Sequence, residues 1–274
     1  MSIKDIVVAL APADENDPGR DFALAMASQY TAHVTAAAYA IVPEIPGGAT
    51  AAVVRGLVSD AKAHVEEQVN DARRRFETAA KNAAVPHHFH GATTSLQVAA
   101  RSFAQRLRTA DLAVMTQSKT KDLEHVGDVF LEAALFGSGR PVVIVPKKFE
   151  GQFSAERILI AWDGSLHASR AVLGAMPLMN DAQIQVFSVE ETAKGRDFLG
   201  SALVEHLRRH QLDAGLAQNN SPDIPSAILK EADLFRASLV VMGGYGHSRF
   251  REIMFGGATR SMLAEMRCPV LMAH

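Results

Sequence analysis

Short continuous apolar runs alternate with stretches in which apolar residues recur every three or four positions, and the alternation occurs twice along the chain. An unbroken run of aliphatic residues suits a strand buried on both faces, whereas the longer period suits a helix with one buried stripe. In the C-terminal half RILIAW (157–162) predicts a strand, and Ala168, Ala171, Val172, Ala175 and Met176 fall on one face of the helix after it. IQVFSV (184–189) predicts the next strand, and Phe198, Leu199, Ala202, Leu203, His206 and Leu207 mark a second amphipathic helix with His206 on its apolar stripe. LDAGLAQ (212–218) is a weaker strand, followed by a helix over 224–236, the strand LVVMGG, a helix over 257–267 and a closing strand.

The N-terminal half has the same order. RTADLAVMT (108–116) corresponds to FRASLVVMG (235–243), and RPVVIVP (140–146) to CPVLMAH (268–274), at an offset of 127–128 residues. The opening strands, KDIVVALAP (4–12) and RILIAWDG (157–164), are offset by 152, so the first half carries about 24 more residues. Val54, Leu57, Val58, Ala61, Val65, Val69, Ala72, Phe76 and Ala79 keep helical spacing over that extra length, which predicts one long second helix. Its other positions (Glu66, Glu67, Asp71, Arg73, Arg74) mix charges in the manner of a solvated face.

Alternating buried-type strands and helices imply parallel sheets covered on both sides, with right-handed crossovers. The expected fold is α/β: two tandem doubly wound, Rossmann-like domains, each a five-stranded parallel sheet flanked by helices. Their expected limits are 1–147 and 155–274, with the polar stretch KKFEGQFSAE (147–156) as linker. The closing strands 141–145 and 269–273 are candidates to pair edge to edge, making the halves an intramolecular pseudo-dimer; a homodimer of the whole chain is compatible with this.

The 274 residues are 48% hydrophobic and 21% charged, enough to bury real cores, and the net charge of −2 gives no basic footprint for nucleic acid. No apolar run approaches the roughly 20 residues of a membrane span, and the opening MSIKDIVVAL lacks the plan of a signal peptide. The single cysteine, Cys268, excludes an internal disulfide and reads as a small buried hydrophobe. A cytoplasmic protein without membrane contact is expected.

In open parallel sheets, ligands sit beyond the carboxyl ends of the strands where the strand order reverses. In the second half one such end is Ala161-Trp162-Asp163-Gly164-Ser165, and another is Met242-Gly243-Gly244-Tyr245-Gly246; Gly256-Gly257-Ala258-Thr259 opens the last helix. Glycines let backbone approach a ligand, and free N–H groups at a helix start attract anions. There is no P-loop, and Gly244-x-Gly246 followed by Arg249 fails the dinucleotide fingerprint. His247, Arg249 and Arg251 are candidate cations for phosphates.

VVMGGYGHSRFREIMFGGATRSMLAEMRCPVLM resembles the C-terminal signature of universal stress proteins, whose ATP-binding pattern G-x2-G-x9-G-(S/T) is matched by Gly243, Gly246 and Gly256. ILIAWDGS resembles the family's opening ILVAVDGS. The resemblance implies ATP or another adenine nucleotide, with Mg, as ligand of the second half. It implies that Asp163 lies near the adenosine with Ala161 beside it, and that Val189 meets the adenine through its backbone. Met242, Gly243, Gly246, His247, Gly256, Gly257, Ala258 and Thr259 would wrap ribose and phosphates. Gly257 stands where the family pattern has Ser or Thr, which removes one hydroxyl donor. The implied function is a stress-response nucleotide-binding regulator acting through protein contacts; the alternative is an interaction scaffold that no longer binds nucleotide.

In the first half the glycine positions become Thr116, Lys119 and Val129, and strand one ends in Leu10-Ala11-Pro12-Ala13, so no nucleotide is expected there by the same mode. Lys119 and Lys121 read as surface lysines. No cysteine or paired carboxylate lies close to His87, His88 and His90, and Glu205-His206-x-x-x-His210 is not the H-E-x-x-H order, so no metal is expected. No nucleophile, base and oxyanion-donor set emerges, and slow ATP hydrolysis is the most that dedicated chemistry would amount to.

Overall fold

The computed structural model describes residues 2–42, 53–118, 126–189, 199–244 and 257–274. The first half contributes β1 (Asp5–Ala9), α1 (Pro18–Tyr30), β2 (His33–Ile41), α2 (Val53–Asn82), β3 (His87–Thr94), α3 (Leu96–Leu107), β4 (Leu112–Thr116), α4 (Val126–Gly137) and β5 (Val142–Val145). The second contributes β6 (Arg157–Ala161), α5 (Leu166–Ala175), β7 (Gln183–Val189), α6 (Leu199–Arg209), β8 (Ala214–Asn219), α7 (Ile224–Phe235), β9 (Leu239–Gly243), α8 (Gly257–Glu265) and β10 (Val270–Ala273).

All ten strands form one sheet in the order β3-β2-β1-β4-β5-β10-β9-β6-β7-β8. Neighbours within each half are parallel, and the halves join where β5 and β10 pair antiparallel, Val143 opposite Leu271. Antiparallel joining at the last strand relates the halves by a pseudo-twofold axis through the sheet, so the ligand edge of one half lies beside the opposite edge of the other. Helices α1, α2, α5 and α6 cover one face through Phe22, Met26, Phe76, Val172 and Leu207. Helices α3, α4, α7 and α8 cover the other through Phe103, Leu135, Phe235 and Met262. The central strands read as unbroken apolar runs because both faces are buried: Ile158, Leu159 and Ile160 are each at most 1% exposed.

The long second helix is present as the 30-residue α2, and Val69, Ala72 and Phe76 supply its buried stripe. Two expectations are corrected. His206 does not sit at the edge of the core: it is exposed, while Leu203, Val204 and Leu207 of the same helix are buried. Nor is 147–156 simply a polar linker: Phe153 is buried and meets Phe22 edge-on at 5.2 Å and Tyr30 at 5.8 Å, while Phe149 meets Phe22 at 6.1 Å. Two aromatics hidden among charged residues staple the connection onto α1.

Candidate functional site

In each half the first strand lies between its second and fourth, so the chain leaves β1 or β6 in one direction and returns on the other side. That arrangement opens a crevice at the carboxyl ends of β6 and β9, which are in register with Ala161 opposite Met242. After Ala161 the Trp162 N–H still donates to the Phe187 carbonyl of β7 (2.8 Å), so the chain is held to the sheet until it turns. The turn needs Gly164, at φ +73°, and the exposed Asp163 is fixed within it by accepting a bond from the Ser165 N–H (2.9 Å). Ser165 caps α5, its hydroxyl accepting from the Ala168 N–H (3.1 Å).

On the opposite wall, Gly243 pairs with Ala273 and Gly244 donates to the Ala273 carbonyl (2.9 Å). The reason for glycine at 243 differs from the one expected. Its φ is not positive, and a Cβ built there would stand 2.6 Å from the Ala168 nitrogen and 2.9 Å from the His167 carbonyl carbon. The first turn of α5 packs directly on the end of β9, leaving no room for a side chain. Gly257, Ala258 and Thr259 form the first turn of α8, and Val189 ends β7 opposite Asn219. Gly246, His247, Gly256, Arg249 and Arg251 lie outside the described residues.

Two histidines that the sequence did not single out border this crevice. The rings of His167, in the first turn of α5, and His274, just after β10, stack at 4.1 Å and 29°. His274 also meets Phe136 of α4 at 4.3 Å, and Phe136 belongs to the first half. Partial burial, with Arg170 nearby, holds both imidazoles below their usual pKa; Asp163 acts in the opposite direction on His167.

At the corresponding strand ends of the first half, side chains interlock. Thr116 replaces Gly243; its hydroxyl donates to Asp17 Oδ1 (2.7 Å) and accepts from the Gly19 N–H (2.9 Å). Asp17 caps α1 and is 4% exposed, and burial raises its carboxyl pKa despite these bonds. Lys147 pairs with Asp14 (2.9 Å), and Arg75 donates to the carbonyls of Pro12 (3.0 Å) and Asp14 (3.4 Å). Lys119 and Lys121 lie outside the described residues, and Val129 lies on α4, packed against the core.

The remaining candidates do not assemble. The Arg106 guanidinium lies against His90 (2.9 Å to Nδ1), and the Nδ1 of His87 lies 2.8 Å from the Val85 carbonyl. His206 and His210 face each other at 4.8 Å on α6, and no group of three or more His, Cys, Asp or Glu suited to a metal occurs among the described residues. Cys268 is partly buried against the core, which pushes its thiol up to about 11. No helix among the described residues is long and apolar enough to cross a membrane.

The fold defines an α/β protein of the doubly wound class, built as two pseudo-symmetric halves. The sequence model of the universal stress protein family matches residues 220–274. The chain is 31% identical over 136 residues to a universal stress protein encoded in the 3′ region of the QAH/OAS sulfhydrylase of Thermus aquaticus, covering 97% of that protein and 43% of this one. It is 26% identical over 138 residues to universal stress protein Slr1230 of Synechocystis, a match spanning 48% of this chain and 46%, less than half, of that relative. The crystal structure of a universal stress protein from Archaeoglobus fulgidus has the same fold over 98% of this chain and 96% of its own, with TM-score 0.74 and 15% identity. The chain belongs to the universal stress protein family.

Proposed function

We propose that the second half binds ATP or another adenine nucleotide, with Mg2+ on its phosphates, and that the protein regulates a stress response through protein contacts. The observation that carries this reading is the contrast between the two crevices. Past β6 lies an exposed carboxylate, Asp163, β9 ends in Gly243 without a side chain, and α8 begins at Gly257. At β1 and β4 the same places hold the interlocked Thr116, Asp17 and Gly19. In this reading Asp163 accepts bonds from the adenosine, and the first-turn amides of α8 take phosphate oxygens. Ala161 and Val189 flank the base, and Met242, Gly246, His247 and Gly256 complete the cradle around ribose and phosphates.

The domain limits 1–147 and 155–274 and a cytoplasmic setting belong to the same reading. So does the absence of dedicated catalysis beyond slow ATP hydrolysis. The intramolecular β5–β10 pairing does the work of a dimer contact between single-domain units. Gly257, lacking the hydroxyl of the family pattern, supports a second reading in which the chain is a scaffold without nucleotide.

Thermal unfolding with and without ATP and Mg2+, on the wild type and on Asp163→Ala, separates the two. The nucleotide reading expects a rise in Tm with ATP that shrinks in the variant. No rise in the wild type, and no adenine co-purifying with it, would leave the scaffold.

A further inference from the structure

The first half also makes a contact in the second. Gln117, the residue after β4, has its side-chain amide held at both ends. Its Oε1 accepts from the Lys147 N–H (3.0 Å), and its Nε2 donates to the Leu263 carbonyl and reaches the Ala264 carbonyl at 3.4 Å. Its backbone N–H is bonded to the Val145 carbonyl (2.8 Å), so the side chain projects from a fixed point on the sheet. Leu263 and Ala264 belong to the last turn of α8, in the other half.

The last carbonyls of a helix have no partner within it, and a side-chain amide donating to them acts as a cap supplied from outside. Helix α8 has 9 residues, far below the length at which a helix holds itself in water, so its position is set by what it packs on. Met262 and Leu263, with Met266 just after the helix, anchor it in the core, while the Arg267–Asp233 ion pair beyond its end is exposed and worth little. The contact is also one-sided. The position corresponding to Gln117 in the second half is Gly244, which lies beside Leu135 of α4 but has no side chain to reach its carbonyls.

We propose that Gln117 is a positioning residue for the nucleotide's phosphate end: by capping α8 from the first half, it fixes where the first-turn amides of that helix stand. This rests on the reading that those amides hold phosphate. The first half thereby regulates the second, because any partner that shifts β4 or the 146–149 segment shifts the cap. Loss of the cap leaves α8 correctly placed only part of the time, and the apparent affinity for phosphate falls by that fraction.

The test is calorimetric titration of the full chain with ATP–Mg2+ and, separately, with adenosine. In Gln117→Ala the ATP affinity is expected to fall roughly three- to tenfold, the worth of one lost helix-end hydrogen bond, while adenosine binds as in the wild type. Should that variant lose cooperative unfolding, Gln117→Met keeps the side chain's length without the amide, and carries the same expectation. Unchanged ATP affinity in the variant, or equal weakening of ATP and adenosine, overturns the positioning role while leaving nucleotide binding standing. A wild type that binds neither ligand overturns both.

Discussion

Thr116 and Gly243 stand at corresponding ends of β4 and β9, and the helix packed on each compensates for its size. Gly19 of α1 lies against Thr116, where an added Cβ would come within 2.7 Å of the threonine oxygen; His167 and Ala168 of α5 lie against Gly243. Each half has one glycine at this junction, placed on opposite partners. In the first half the Thr116 hydroxyl bonds the buried Asp17, a contact that Gly243 cannot make in the second.

Gly243→Ala therefore forces a Cβ onto the backbone of α5 and should cost about 1–3 kcal/mol of stability, the usual range for overpacking. Gly19→Ala should cost as much, because the Thr116 nitrogen also lies within 2.9 Å of the added atom. Asp163→Ala, at an exposed position, should stay within about 0.5 kcal/mol of the wild type. Urea unfolding of the three variants checks this. A Gly243→Ala protein as stable as the wild type would return that glycine to the role expected from sequence, close approach to a ligand.

Asp17 gives the first half a distinctive pH dependence. Burial raises its folded-state pKa above 3.8, so the folded chain holds the proton more tightly than the unfolded chain. The associated stability is fully present below the unfolded value and is lost as pH rises through the raised one. Asn at the same cap keeps the acceptor and removes the titration. The expected result is that Asp17→Asn equals or exceeds wild-type stability at neutral pH, and that this advantage disappears towards pH 3.8. Asp17→Ala, which removes the cap, should lose about 1–2 kcal/mol. Urea midpoints across a pH series give the comparison; parallel curves for wild type and Asp17→Asn would show that the carboxyl titrates as it does in the unfolded chain.

Much of the fold was legible in the sequence because strands buried on both faces read as unbroken apolar runs and each half reports on the other. Ile158–Ile160 and Val240–Met242 could hardly be anything else, and the offset between halves located the long α2. Phe149 and Phe153 carry no such signal, because two aromatics among charged residues have no period to betray them. His206 shares the helical spacing of Leu203 and Leu207, but spacing alone does not tell the buried positions of a stripe from its exposed margin. At the candidate site, spacing gave Asp163 and Gly243 but not the physical reason for the glycine, which lies in a helix 75 residues upstream. Gln117 and the His167–His274 pair join segments more than 100 residues apart, and a single sequence carries no signal for such contacts.

The stacked imidazoles of His167 and His274 should make the junction of the halves sensitive to acid. Partial burial and Arg170 disfavour charge on both, and Asp163 only partly offsets this at His167. Their folded-state pKa values lie below 6.5, so the unfolded chain binds more protons as pH falls. The stability tied to neutral rings is thus present above 6.5 and lost as pH drops through the lowered values. Both rings reach solvent, so the loss should be less than about 1 kcal/mol. His274→Phe keeps an aromatic surface against Phe136 and His167 but cannot charge, and its stability should fall less than the wild type's between about pH 7 and pH 5. Tm measured at half-unit pH steps for the two proteins reads the difference directly. If the curves coincide, the two rings titrate freely, and the contact between His274 and Phe136 is packing without electrostatic consequence.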